Sequence, residues 1–176
     1  MRVAIVGTRK PAPPTRAAAS WAAKAAVAAG YEVVTGGAEG VDAAAVATVQ
    51  QHAVVVVPWR GFGSCEGLAG RVVVYDPRRQ PEWAASVDRL HPAPERLGSW
   101  ARRLLARDYG VVDMARAVIA FPRRGGRGGT WQAIRAAHAL GRPVLVLPDP
   151  VDFGDAQAAV ATFLESLRGP GQGWRG

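Results

Sequence analysis

The chain has 176 residues and a formal net charge of +8; 49% of its residues are hydrophobic but only 7% are aromatic. This length predicts one domain with a substantial core. Its apolar runs are shorter than the roughly 20 residues of a membrane span, and the N-terminus lacks a signal-peptide pattern. Cys65 is the only cysteine, which excludes an internal disulfide and argues against a cysteine-based metal site. We therefore expect a cytoplasmic protein without a membrane partner.

The first third of the chain predicts alternating strands and helices. Strands are expected at 3–6, 31–35 and 53–57, with helices at 15–29 and 41–51 between them. Pro13 and Pro14 suit the first turn of the first helix, and Gly30 is typical of the residue that ends it. This strand-helix order is the signature of a parallel sheet.

The remainder is less regular but continues the pattern. An extra strand is expected at 71–75, helices at 81–90 and 95–107, and a buried strand at 117–121. A helix then runs to Leu140, with Gly141 as its cap, and strand 144–147 and helix 155–167 close the fold. The sequence predicts a single α/β domain over 1–168, with three α/β/α layers and a mostly parallel sheet. Residues 169–176 read as a flexible, Gly-rich tail.

Three loops that follow strands are the best candidates for a binding site, because open parallel sheets bind ligands beyond the carboxyl ends of their strands. In the third loop, seven of the eleven residues from 121 to 131 are Gly or Arg. A strand, a glycine loop and a helix start together predict a backbone cradle for an anion. The candidate ligand-binding residues of the three loops are Gly7, Thr8, Arg9, Gly36, Gly37, Gly40, Asp42, Pro122, Gly126, Arg127, Gly128, Gly129 and Thr130.

Each candidate also has a plainer interpretation. Thr8 and Arg9 offer a hydroxyl and a guanidinium fork suited to phosphate, or they belong to an ordinary surface turn. Asp42 binds a ribose hydroxyl or complements the dipole of the helix it begins, and the structural role is slightly favoured. The third loop is a phosphate cradle or a basic surface turn. The net charge favours anionic partners, or it reflects a composition bias in which Lys10 and Lys24 are the only lysines.

Several familiar sites are missing from the sequence. It has no G-x-x-x-x-G-K-[ST] motif, and no G-x-G-x-x-G follows its first strand. His52, His91 and His138 lack the spacing of metal ligands, so no metal site is predicted. Trp59 and Trp131 lie near strand ends, where they stack on a base or, more simply, pack in the fold.

The three loops together resemble the SLOG superfamily of Rossmann-like nucleotide-binding proteins, over about residues 1–148. Residues 3–9, Val-Ala-Ile-Val-Gly-Thr-Arg, look like the opening strand and G-S-R turn of DprA/Smf proteins. Residues 35–45 look like the DprA segment S-G-x-A-x-G-I-D-x-x-A-H, and residues 117–144 are similar to the A-F-P-G-G-x-G-T pattern of short members. Arg107-Asp108 stands where the family often has Arg-Asn, which adds Arg107 to the candidate site.

The departures from the family pattern bear on function. Glu39 stands where an Arg or a neutral residue is usual, and the third loop holds an extra residue. Ala133 stands where LOG enzymes carry their catalytic Glu, and glycosidic cleavage needs a carboxylate at the sugar. The resemblance therefore implies a nucleotide- or phosphosugar-binding protein without catalysis or a defined cofactor, such as a sensor or carrier.

Two alternatives remain open: a DprA-like protein that binds single-stranded nucleic acid, and a LOG-type nucleoside monophosphate phosphoribohydrolase. The Ala-rich helix at 16–29 has faces that pack on the sheet or on a second subunit, and we expect a homodimer or larger assembly.

Overall fold

The computed structural model describes residues 1–63 and 65–168, so the predicted tail at 169–176 lies outside the described residues. Six strands of this part of the chain form one sheet in the order β4-β3-β2-β1-β5-β6, with every neighbouring pair parallel. The strands are β1 (Arg2–Gly7), β2 (Glu32–Thr35), β3 (Ala53–Val57), β4 (Arg71–Val74), β5 (Ala117–Phe121) and β6 (Val144–Val146).

Six α-helices of the described residues cover the two faces of the sheet. They are α1 (Pro13–Ala28), α2 (Val41–Val49), α3 (Pro81–Leu90), α4 (Ser99–Asp113), α5 (Gly129–Ala139) and α6 (Phe153–Ser166). Helices α1, α2 and α6 supply the core on one face, and α3, α4 and α5 supply the core on the other. The predicted single α/β domain with three layers and a parallel sheet is confirmed.

Alternation along each strand divides its side chains between the two cores. In β1, Val3 and Ile5 enter the core beneath α1, whereas Ala4 and Val6 enter the core beneath α4 and α5. Strands covered on both faces are apolar along their whole length, which explains the continuous apolar runs of β1, β3 and β5. The central position of β1 places the loop that follows it beside the loops after β2 and β5.

Helix α1 packs against the sheet through alanines. Its buried face carries Ala18, Ala19, Ala22, Ala23 and Ala26, each at most 1% exposed. Methyl side chains allow the helix backbone to approach the sheet closely, at dense packing. This face is therefore used within the domain.

Helix α4 differs from its prediction at both ends. The predicted helix at 95–107 is replaced by a 3-10 turn at Pro94–Arg96 and a helix that begins at Ser99 and continues to Asp113. Gly110, which weakens a helix intrinsically, is kept inside α4 because it lies against the ring of Trp83, where a Cβ would overlap. The longer helix carries Arg107 and Asp108 in its interior. Over the residues described, no helix combines the length and the apolar character needed to cross a membrane.

Candidate nucleotide-binding cleft

The carboxyl ends of β1, β2 and β5 meet at a cleft of about 630 Å³. Such a volume falls within the range of small-ligand sites. Nine of the predicted site residues line it: Gly7, Thr8, Arg9, Asp42, Arg107, Arg127, Gly128, Gly129 and Thr130. Residues from loops far apart in the chain thus share one cavity, as the strand-end argument predicts.

The loops after β1 and β2 are packed directly onto each other. The N–H of Val41 donates to the carbonyl of Thr8 at 3.2 Å, and a Cβ at Gly7 would come within 2.6 Å of the Val41 side chain. Gly40 has φ +82° and lies against the carbonyls of Thr8 and Arg9, where a side chain would overlap them. The absence of a side chain at Gly7 and Gly40 therefore allows the two loops to pack closely together. Gly40 does not line the cleft.

The remaining glycines of the second loop also have packing roles. Gly36 lies beside Arg107, because a Cβ there would overlap its Nη1 atom and lie 2.9 Å from Oδ2 of Asp42. Gly37 lies against Val55 with φ +68°. Neither lines the cleft. Glu39 is exposed and also lies outside the lining, so its charge does not oppose an anion in the cavity.

Asp42 lies at the floor of the cleft on the first turn of α2. It is 4% exposed, and its Oδ2 accepts from the N–H of Ala38 at 3.3 Å. Burial raises the pKa of Asp42 from an ordinary 3.8 to about 6; the Arg107 cation opposes this rise, and the Asp108 carboxylate adds to it. The carboxyl therefore exchanges its proton close to neutral pH.

Arg107 and Asp108 bring opposite charges from α4 to the same floor. Arg107 is 4% exposed, its Nη1 lies 3.1 Å from Oδ1 of Asp108, and its guanidinium lies 5.0 Å from the ring centroid of Phe62. Its Nε is buried without a hydrogen-bond partner among the described residues. Burial raises the pKa of Asp108, against the opposing effects of Arg107 and Arg9. A buried donor without an acceptor is uncommon in folded proteins and favours a polar guest in this cavity.

The third loop forms one wall of the cleft at the start of α5. Gly125, Gly126 and Gly128 have φ values of +108°, +71° and +97°, and the space that their side chains would occupy is open. Trp131 closes the loop by donating its Nε1–H to the carbonyl of Arg123 at 2.9 Å. This hydrogen bond gives Trp131 a bracing role in the loop. Gly126 and Pro122 do not line the cavity, and Pro122 is buried at the end of β5.

The N-terminus of α5 has an acid of the protein itself beside it. A Cβ on Gly129 would lie 2.6 Å from Oδ2 of Asp108, whose side chain is 16% exposed. Helix N-termini attract negative charge, so this carboxylate lies near the position that the sequence assigns to a ligand phosphate. A phosphate therefore has its best electrostatic environment away from Asp108, toward Arg9 and Arg127, which are both exposed.

Sequence reasoning did not include several residues that line the cavity. The omitted charged residues are Lys10, Asp108, Arg123 and Arg135, and the imidazole of His91 also lines the cavity. Asp108 had a visible signal, because it replaces the Asn that follows Arg in the family pattern. Ala133, which stands where LOG enzymes have Glu, also lines the cleft. No group of three or more His, Cys, Asp or Glu side chains that is able to hold a metal occurs in the described part of the chain.

Comparison with known proteins supports the resemblance seen in the sequence. Residues 1–66 match the family model of DNA recombination-mediator protein A, and this segment contains the first two loops of the cleft. A comparison with curated proteins gave no significant match. The structure is similar to DNA processing protein A from Helicobacter pylori, with 19% identity and a TM-score of 0.66 over 95% of this chain and 80% of that one.

Two further solved structures are similar over most of their length. The molybdenum cofactor binding protein of Rippkaea orientalis has 18% identity and a TM-score of 0.60, over 93% of this chain and 84% of that one. The molybdenum cofactor carrier protein of Chlamydomonas reinhardtii has 18% identity and a TM-score of 0.59, over 93% and 98% of the two chains. This chain shares the α/β Rossmann-like fold of these structures. The predicted resemblance to the SLOG superfamily is confirmed by the family match over residues 1–66 and by the similar architecture of the solved structures.

Proposed function

We propose that the cleft binds a nucleotide or phosphosugar without turnover, as a sensor or carrier would. The phosphate lies at the exposed rim, between Arg9, Arg127 and the backbone at Gly128–Thr130. The sugar hydroxyls lie on the floor and donate to the carboxylate of Asp42. The observation that carries this proposal is the arrangement of charge within one cavity: exposed arginines lie at its rim, and the buried Asp42 and the half-buried Asp108, with Arg107 beside them, lie at its floor.

The chemistry of the two regions suits the two parts of such a ligand. Guanidinium groups and helix N-termini are preferred partners of phosphate. Carboxylates accept hydrogen bonds from vicinal hydroxyls, as the acidic residue of dinucleotide-binding proteins does with ribose. Arg107 also lines the cleft and adds a buried cation to its floor.

Calorimetry with AMP and with ribose 5-phosphate tests the proposal. Arg127→Ala removes a charge-assisted contact worth roughly 1.5–3 kcal/mol, which corresponds to a loss of affinity of roughly 10- to 150-fold. Gly129→Asp introduces a carboxylate beside Asp108 and is expected to abolish binding.

Arg71→Ala is the matched control, because Arg71 is an exposed arginine at the start of β4. Its affinity should equal that of the wild type. Unchanged affinity in Arg127→Ala, or equal losses in Arg127→Ala and Arg71→Ala, would refute the assignment of the rim.

A second candidate is binding of single-stranded nucleic acid. It is favoured by the family match over residues 1–66 and by the likeness to the Helicobacter pylori protein, whose structure was described for its single-stranded DNA binding mode. A strand that contacts several arginines loses affinity steeply as salt rises, whereas a mononucleotide with one phosphate does not. The salt dependence of oligonucleotide binding therefore separates the two candidates.

Hydrolysis of nucleoside monophosphates is the third candidate, and the floor of the cleft gives one reason to assay it. The carboxylates of Asp42 and Asp108 come from α2 and α4, although the position of the LOG glutamate is Ala133. We expect no free adenine when the protein is incubated with AMP and the products are separated by chromatography. Release of adenine that is lost in Asp42→Asn would replace the binding proposal with an enzymatic one.

A further inference from the structure

A second cavity lies beyond the ends of β3 and β4, apart from the nucleotide-binding cleft. It has a volume of about 770 Å³, and we call it the aromatic groove after the residues Trp59, Tyr75 and Trp100 in its lining. Trp59 and Tyr75 follow β3 and β4, so the groove opens at the same edge of the sheet as the cleft. Helix α4 separates the two: Ala101 and Leu104 line the cleft, whereas Trp100 and Arg103 line the groove.

The two indole rings of the groove pack edge to face and leave most of Trp100 open to solvent. The centroids of Trp59 and Trp100 are 4.4 Å apart with an interplanar angle of 62°, and Phe62 supports Trp59 from a centroid distance of 5.3 Å. Trp100 remains 69% exposed. An aromatic side chain held by a neighbour yet left largely in water gains most from a planar guest that covers it.

Two arginines of the groove are held by hydrogen bonds to backbone carbonyls and to the carboxylate of Asp88, which also lines the groove. Arg103 donates to the carbonyls of Pro58 and Tyr75, and its guanidinium lies 5.5 Å from the Tyr75 ring centroid. Arg102 donates to Oδ1 of Asp88 and to the carbonyl of Pro94, both at 2.9 Å. Guanidinium planes fixed in this way offer flat faces to an aromatic ring, so the groove is formed before a ligand arrives.

The surroundings of the groove carry positive charge that the protein leaves available. Arg60 follows Trp59 in sequence, and Arg78 follows Pro77 of the lining. Both are exposed, and neither forms an ion pair within residues 1–63 and 65–168. Aromatic faces flanked by such cations combine the two features of sites that hold a base by stacking and its backbone by charge.

We propose that the aromatic groove is a base-stacking site, distinct from the nucleotide-binding cleft, which takes a nucleobase of a single strand. The ring stacks on the exposed face of Trp100, which Trp59 holds from the side, and the neighbouring phosphates lie toward Arg60 and Arg78. Stacking accepts every base because every base has a π-face, so the site has little sequence preference. The groove adds affinity for an oligonucleotide that a mononucleotide in the cleft does not use.

Fluorescence anisotropy with a labelled dT oligonucleotide of 12 nucleotides tests this site. Trp100→Ala should weaken binding roughly 5- to 150-fold, the range expected for the loss of one stacked base. Trp100→Phe should recover most of this loss, because a smaller ring still stacks. Phe153→Ala is the matched control, since Phe153 is a partly exposed aromatic residue at the start of α6, on the other face of the sheet; it should leave affinity unchanged.

Three results would overturn the proposal. The first is an oligonucleotide affinity that Trp100→Ala does not change. The second is thymidine competing as strongly as the oligonucleotide, which would assign the groove to a free nucleoside. The third is a wild-type dimer in sedimentation that Trp100→Ala dissociates, which would assign the groove to a second copy of the chain.

Calorimetry with AMP on the same variants separates this inference from the proposed function. In one outcome, Arg127→Ala weakens AMP binding, and Trp100→Ala changes neither AMP binding nor oligonucleotide binding. This outcome would reject the groove proposal and leave the proposed function standing. Oligonucleotide binding that depends on Trp100 in a protein without AMP affinity would reject the mononucleotide function alone.

Discussion

Asp42 gives the sharpest quantitative prediction, because it is a buried acid whose titration opposes folding. Its pKa is raised from 3.8 to about 6 by burial. Between these values the folded state binds more protons than the unfolded state, so the free energy of unfolding falls as pH rises. At 1.36 kcal/mol for each pKa unit, the total contribution is about 3 kcal/mol, and about half of it develops between pH 5 and pH 7.5.

Asp42→Asn removes this titration while keeping an oxygen for the N–H of Ala38. Relative to the wild type, we expect the stability of the variant to rise by roughly 1 kcal/mol from pH 5 to pH 7.5. Urea unfolding followed by circular dichroism at several pH values measures the difference directly. Glu39→Gln is the control, because Glu39 is an exposed acid on the same loop; it should leave the unfolding free energy close to that of the wild type.

If the unfolding free energies of Asp42→Asn and the wild type change with pH in the same way from pH 5 to pH 7.5, Asp42 is not the titrating group. Burial raises the pKa of Asp108 as well. A double variant that adds Asp108→Asn to Asp42→Asn should therefore show an unfolding free energy that depends even less on pH. A steeper dependence in the double variant would contradict the assignment of both acids.

Two further predictions follow from close contacts in the structure. Asp108→Asn removes a negative charge beside the N-terminus of α5 and should tighten AMP binding in calorimetry by roughly 5-fold or more; weaker binding would instead make Asp108 an essential partner of the sugar. Gly110→Ala forces a methyl group into the ring of Trp83. Although alanine favours a helix, this overlap should lower the unfolding free energy measured in urea by roughly 1–3 kcal/mol. A stabilised variant would contradict the tight packing of α3 on α4.

The regular elements were readily predicted because their signals are local. β3, β5 and α3 have the predicted bounds, since a short apolar run or a proline at a helix start is visible without the rest of the fold. Helix α4 was predicted to end at Arg107, but Gly110 continues it because Trp83, 27 positions earlier in the sequence, packs there. That contact between two helices has no local signal.

In the candidate site, too, the features with local sequence signals were predicted and those that depend on long-range contacts were not. The three glycine loops were found from their positions after strands, but the loop sequences did not distinguish glycines facing a cavity from Gly36 and Gly37, which make room for Arg107 and Val55. The sequence indicates only part of the aromatic groove. Trp59 is recognisable because it follows a strand, whereas Trp100 lies 41 positions later in the sequence and is brought beside Trp59 by the packing of α4.

The edge strand β6 has a consequence for when two distant segments become linked. Asp149, just beyond β6, accepts from the N–H of Ala12 at 2.9 Å and donates its own N–H to the carbonyl of Pro122. The segment entering α1 is thus tied to the loop after β5 by a residue 137 positions away in sequence. During synthesis, the family-matched first 66 residues leave the ribosome well before this tie exists. The link between the segment entering α1 and the loop after β5 therefore forms only once residue 149 has been synthesised.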